Sequence, residues 1–175
     1  MKLLLTGKPG VGKTTCVIRI AGQLPDRRKM GFFTREIRER GRRTGFEVAT
    51  FDGVKRTLAH VQIRSSYRVG KYGVDLAALE EIVTHLENLP ITPETVVLID
   101  EIGKMESFSR RFRRWVEDVL NQADLLIATI ALKGTPWMET LKKRPDVQLQ
   151  MLTGSNRDRV CGEVLQRVRQ TTAEK

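Results

Sequence analysis

Eight residues near the start of the chain constrain it more than any others. Gly7-Lys8-Pro9-Gly10-Val11-Gly12-Lys13-Thr14 satisfies the phosphate-loop pattern Gly-x-x-x-x-Gly-Lys-[Ser/Thr] at every fixed position. Gly7, Gly10 and Gly12 let the backbone curl until successive N–H groups point into one concavity, an anion nest. A helix starting near Gly12 adds its positive N-terminal end to the same spot. Lys13 then reaches the outer phosphates, and the Thr14 hydroxyl is placed to ligate Mg²⁺. Such a match needs a buried strand before it and an amphipathic helix after it. Lys2 to Thr6 read KLLLT, an apolar run, and Val17, Ile20, Ala21 and Leu24 form one helical face. Gly22 weakens that helix and Pro25 ends it. A glycine-rich turn without a ligand would leave this context unexplained.

The second anchor is Thr95 to Glu101, TVVLIDE. Four consecutive apolar residues, Val96 to Ile99, read as a strand buried on both faces of a parallel sheet. Asp100 and Glu101 stand at its carboxyl end, where open α/β sheets place their ligands. A carboxylate there holds Mg²⁺, which fits Asp100, and the next one, Glu101, polarises an attacking water as general base. Alone, the pattern reads better as a buried strand ending in a helix cap. A phosphate loop earlier in the chain reverses that balance.

The rest of the chain alternates strands and helices, which argues an α/β fold with a mainly parallel sheet. Gly31 to Glu39, the turn Gly41 to Gly45, and Phe46 to Phe51 read as a β-hairpin with a basic tip. Thr57 to Ile63 adds a third strand, so an antiparallel insert is expected at about 31–63. Ser65 to Gly73 reads as a polar loop. Asp75 is a good N-cap for a helix over Leu76 to Asn88. Phe108 to Asn121 reads as a helix, Asp124 to Leu132 as a buried strand, and Thr135-Pro136 as a cap and first residue of a short helix. Asp146 to Leu152 is the last strand, followed by a final helix with Val160, Cys161, Val164, Leu165 and Val168 inward. Residues 170 to 175 are expected to fray. His60 and His85 read as packing residues rather than metal ligands. Strand order and oligomeric state do not follow from the pattern.

At 175 residues, the simplest organisation is one domain over 1–175. No run of eighteen apolar residues is present, so no membrane span is expected. The start has no signal-peptide shape, which suggests the cytoplasm. Cys16 and Cys161 lie on apolar helix faces with no Cys-x-x-Cys pair, and are expected to be reduced core thiols. Lys and Arg outnumber Asp and Glu 31 to 21, for a net charge of +10, a balance that attracts polyanions. Part of the excess falls in the hairpin, including Arg35, Arg38, Arg40, Arg42 and Arg43. As charges on an exposed ribbon these need no function; as a flap, Arg43 would close over phosphates. A second cluster, Arg110, Arg111, Arg113 and Arg114, reads as a solvated helix face, with an arginine finger as the weaker reading.

The chain resembles the THEP-type (thermophilic-type) nucleoside-triphosphatase family. The resemblance is carried by the phosphate loop, GFFTREIRERGRRTGFEV at Gly31 to Val48, and VGKYGVD at Val69 to Asp75. It continues in VVLIDEIGKME at Val96 to Glu106 and NRD at Asn156 to Asp158. The phosphate loop is shared by many families, whereas the DEIGKME run with the GRRTGF turn is far more specific. The resemblance implies a three-layer P-loop NTPase fold and Mg²⁺-dependent hydrolysis of ATP, GTP, CTP, UTP and TTP, with diphosphates as poorer substrates. It implies nucleotide binding by Gly7, Lys8, Pro9, Gly10, Val11, Gly12, Lys13 and Thr14. The same is implied for Val96, Val97, Leu98, Ile99, Asp100, Glu101, Ile102 and Gly103. Lys13 and Glu101 are the expected catalytic pair, and Thr14 and Asp100 the expected metal ligands. The arginine run at 110–114 is not a recognised family feature.

Broad base choice has its own rationale. Triphosphate and metal are common to all nucleotides, and no Asn-Lys-x-Asp guanine-reading segment is present. Arg157, entering the last helix, reads either as a surface arginine or as a guanidinium that stacks on any base. Two other functions share these features. A small-molecule kinase would use the same phosphate machinery on an organic hydroxyl. Nucleic-acid binding, suggested by charge alone, is less favoured, because the basic runs lack the interleaved aromatics of single-strand platforms.

Overall fold

In the computed structural model, which describes residues 1–173, one sheet carries the chain. Its strands are β1 (Lys2–Gly7), β2 (Arg28–Glu39), β3 (Arg42–Thr50), β4 (Lys55–His60), β5 (Arg68–Val69), β6 (Tyr72–Val74), β7 (Thr95–Ile102), β8 (Leu125–Ile130) and β9 (Gln148–Leu152). The helices are α1 (Lys13–Gly22), α2 (Leu76–Glu87), α3 (Arg110–Gln122), α4 (Pro136–Lys142) and α5 (Arg157–Ala173). The strand order is β5-β6-β4-β3-β2-β7-β8-β1-β9. Strands β2, β7, β8, β1 and β9 run parallel, and β3, β4, β6 and β5 continue the sheet antiparallel.

Alternation along the central strands divides the core into two layers. Leu3 and Leu5 of β1, with Val96 and Leu98 of β7, face a layer built with Val17 and Ile20 of α1 and Val164 and Val168 of α5. Leu4, Val97 and Ile99 face the opposite layer, built from α2, α3 and α4 around Phe112, Trp115 and Leu79. Both faces of these strands are therefore buried, as their uninterrupted apolar runs require. Helix starts follow local chemistry. Asp75 accepts a hydrogen bond from the Ala78 N–H at 3.0 Å, and Ser109 one from Phe112 N–H at 3.1 Å. Thr135 caps α4 with Pro136 as its first residue.

Several expectations change. The hairpin at about 31–63 is present, but its first strand is also a central one. The first half of β2 pairs parallel with β7, from Arg28–Thr95 to Phe33–Asp100, and its second half pairs with β3. One long strand thus serves both the core sheet and the ribbon. The loop expected at Ser65 to Gly73 contains β5 and β6, joined through Gly70 at φ 58°. Tyr72, Gly73 and Val74 are buried against β4, which a two- or three-residue strand does not advertise in sequence. Helix α5 runs to Ala173, past the expected fraying point at 170; residues 174 and 175 lie outside the described residues. The cysteines are not free thiols. Cys16 and Cys161 form a disulfide between α1 and α5, with Cα atoms 5.7 Å apart. The two helices lie side by side on one face of the sheet, so two inward residues 145 apart in sequence meet. No helix among the described residues is long and apolar enough to cross a membrane.

Candidate functional site

The loop between β1 and α1 takes the expected curled path. Gly10 and Gly12 have φ of 76° and 102°, a region that side chains with a Cβ rarely enter. The turn brings Lys13 back over the loop, where its Nζ donates to the Gly7 carbonyl at 3.3 Å. Lys13 is 9% exposed, so its charge is held in a nearly closed setting.

β7 arrives beside this loop. Lys13 Nζ lies 3.5 Å from Glu101 Oε2, joining two segments nearly ninety residues apart in sequence. Asp100 is 1% exposed. Its Oδ1 accepts a hydrogen bond from Thr129 Oγ1 of β8 at 2.6 Å, while its Oδ2 is buried with no hydrogen-bond partner. Burial pushes the Asp100 carboxyl above its ordinary value, opposed by the Thr129 and Thr14 hydroxyls and the Lys13 charge. Burial raises Glu101 as well, with Lys13 pulling it down and Asp100 adding to the rise. An unpartnered buried carboxylate oxygen beside a threonine hydroxyl is a donor set of hard oxygens suited to Mg²⁺.

These groups open onto a cleft of about 510 Å³. Pro9, Gly10, Gly12, Lys13, Thr14 and Glu101 form one side of it. Gly103 and Glu106 line the floor, where a Cβ on Gly103 would stand 2.7 Å from Glu106 Oε2. Thr34, Arg35 and Glu36 enter from the stretch of β2 just past its pairing with β7.

The remaining sequence-derived residues take other places. Val96, Val97, Leu98 and Ile99 are fully buried strand residues that position Asp100 and do not line the cleft; Ile102 is equally buried. Lys8 is exposed on the outer bend, and Val11 packs on the α1–α5 layer. Arg43 is the clearest correction. Its guanidinium donates to Tyr72 Oη at 3.0 Å and to Glu36 Oε1 at 2.7 Å, so it braces the ribbon and does not line the cleft. Arg111 pairs with Glu87, and none of the 110–114 arginines lines the cleft. Arg157 does approach the loop: its Cδ would lie 3.4 Å from a Cβ on Gly12, and it lines a smaller hollow with Thr15, Arg19 and Asp158. Sequence reasoning missed Thr129, Glu106 and Arg35. Only Arg35 carried a signal, its place among the basic residues of the hairpin.

A family described as NTPase matches residues 2–165. The chain belongs to that NTPase family. A nucleoside-triphosphatase THEP1 from Thermotoga sp. (strain RQ2) is 41% identical, covering 100% of this chain and 99% of its own. One from Aquifex aeolicus is 36% identical, covering 94% and 97%. The crystal structure of THEP1 from Aquifex aeolicus superposes with a TM-score of 0.82 at 35% identity, over 94% of this chain and 96% of that one. The solution structure of a human cancer-related nucleoside triphosphatase gives 0.79 at 34% identity, with 97% of each chain covered. The NTPase-family assignment bears out the resemblance read from the phosphate loop and the DEIGKME run.

Proposed function

We propose that residues 1–175 form one domain that hydrolyses nucleoside 5′-triphosphates to diphosphate and phosphate with Mg²⁺. ATP, GTP, CTP, UTP and TTP are substrates, and diphosphates are weaker ones. The observation that carries this reading is the 3.5 Å approach of Lys13 to Glu101 beside the buried Asp100. The loop amides and the start of α1 bind the phosphate chain. Lys13 exchanges its carboxylate and carbonyl partners for terminal phosphate oxygens, which frees Glu101 to accept a proton from the attacking water. A carboxyl raised by burial is a better base near neutrality than an exposed one. Thr14 and Asp100 would hold the Mg²⁺, which when bound neutralises charge on the outer phosphates. Arg157 and Thr15 flank the base, offering a guanidinium plane rather than a base-specific pattern. The names of the full-length relatives support the activity.

A cytoplasmic location belongs to the same reading. A disulfide such as Cys16–Cys161 is uncommon in that compartment, where thiols are usually kept reduced.

The test is phosphate release from the five triphosphates with and without Mg²⁺. Hydrolysis of all five within about one order of magnitude in kcat/KM is expected, with Lys13→Ala inactive. Glu101→Gln should lower kcat by about 10²–10⁴-fold with KM little changed. Equal turnover by the parent and Lys13→Ala would overturn the reading.

A further inference from the structure

We propose that the half of the cleft lying over β2, β3 and β4 is an acceptor site for a small heterocyclic alcohol. The terminal phosphoryl group would then pass to an organic hydroxyl as well as to water. The inference rests on the hydrolytic reading for the placement of the triphosphate.

Sheet order sets the geometry. The phosphate loop leaves β1, with β9 and then α5 on one side and β8, β7, β2, β3 and β4 on the other. Two concavities therefore flank the loop and share Gly12 and Thr15. The smaller, about 300 Å³, lies toward α5 and includes Arg19, Arg157 and Asp158. In a phosphate loop the lysine reaches the β- and γ-phosphates, so the inner phosphate and base leave by the other end. That end here is the Thr15 and Arg157 side. The γ-phosphate then faces Glu101 and the larger cleft.

The larger cleft continues well past Glu101. From β7 to β4 is three strand steps, roughly 14 Å at the usual strand spacing. Its far wall is apolar: Phe46 of β3, Leu58 of β4, Val69 of β5, and Met105 and Ala131 from the connections after β7 and β8. Phosphate oxygens gain nothing from such a wall, and an attacking water needs no room of this size. Apolar walls with a few convergent polar groups are how proteins hold the bodies of organic ligands. Thr34 and Glu36 supply the polar groups on that face. Arg35 lies over the Phe33 ring at 4.7 Å and has no ion-pair partner among the described residues, while Arg38 and Arg43 hold Glu36 in place. Thr34 and Glu36, two residues apart on β2, share the face of Phe46, and a hydroxyl beside a carboxylate suits the edge of a heterocycle, while Arg35 stands on the other face.

The step balances. The acceptor oxygen forms a bond to the γ-phosphorus as the bond to the β–γ bridging oxygen breaks. The bond pair leaves with the nucleoside diphosphate, and the hydroxyl proton passes to Glu101. The products are a phosphomonoester and a diphosphate, and nothing is oxidised or reduced.

The experiment incubates the full chain with ATP labelled in the γ-phosphate, Mg²⁺, and two probe sets: the common nucleosides and hydroxymethyl-substituted pyridines and pyrimidines. Free phosphate and labelled phosphomonoester are measured separately. At least one probe should be phosphorylated about tenfold faster than water is used. Val69→Trp, which fills the far wall, should cut that transfer about tenfold while leaving hydrolysis within about twofold. Met105→Trp is the second variant, in case the first does not fold. Hydrolysis without a phosphomonoester from any probe overturns the acceptor site and leaves the hydrolytic reading standing. Transfer that neither variant reduces overturns its location. Loss of both hydrolysis and transfer in the parent defeats the underlying reading instead.

Discussion

Glu106 has the most displaced acid chemistry at the residue scale. It is 5% exposed, and burial pushes its carboxyl up to about 8, with Glu101 and Asp100 adding to the rise. It is therefore neutral at pH 7. An unfolded glutamate titrates near 4.5. Between 4.5 and about 8 the folded chain holds a proton that the unfolded chain has released, so stability falls as pH rises across that window. Below the window this contribution is level, and above it the cost of a buried charge is fully present. Denaturant midpoints from pH 5 to 9 in chelator, compared between the parent and Glu106→Gln, should diverge in that sense. Parallel curves would show that Glu106 is not a buried acid. Nothing in Gly103-Lys104-Met105-Glu106 marks this burial. It comes from a single 3₁₀ turn, Glu106–Phe108, that folds the chain back under the end of β7. Asp100 and Glu101 were legible because an apolar run fixes a strand and its end. Arg43 was not, because its pairing with Tyr72 depends on β6, which the sequence does not announce.

At the scale of elements, two seams support the site. One is β2 against β7, where Gly31 pairs with Leu98 and Phe33 with Asp100. A Cβ on Gly31, at φ 120°, would stand 1.9 Å from the Leu98 carbonyl oxygen. Gly31→Ala should therefore cost roughly 2–4 kcal/mol and lower kcat as well, because the same seam holds Asp100 in register. A denaturant series and a turnover assay on one preparation test both parts. The other seam is α1 against α5, closed by Cys16–Cys161. Closing so long a loop stabilises by about 2–5 kcal/mol, so the Cys16→Ser, Cys161→Ser double variant should melt well below the parent. Dithiothreitol should bring the parent down to the variant, and a parent insensitive to reductant would deny the bridge. Helix periodicity placed both cysteines inward. The pairing was not legible, since it needs the knowledge that β9 lies beside β1 and sends α5 back along α1.

For the whole molecule, strand order is the quantity the sequence withholds. Periodicity identifies strands and helices one at a time, but β7 meets β1 only through β8. That order brings Lys13 to Glu101 and sets the loop between its two hollows. Net charge, by contrast, is legible at once, and its consequence belongs to the entire surface. A chain of +10 presents Arg35 and Lys104 at the cleft and Arg19 and Arg157 at the neighbouring hollow. A triphosphate carries several negative charges, so encounter and binding are both favoured by the protein's field. Salt screens exposed charges within about 8 Å at physiological ionic strength, while Lys13 and Asp100 are too buried for much screening. Raising potassium chloride from about 20 to 300 mM should therefore lower kcat/KM several-fold through KM, with kcat nearly constant. Steady-state kinetics at fixed free Mg²⁺ measure this. A salt effect on kcat alone would mean that the basic surface plays no part in capture, and that its charges serve only to brace the ribbon as Arg43 does.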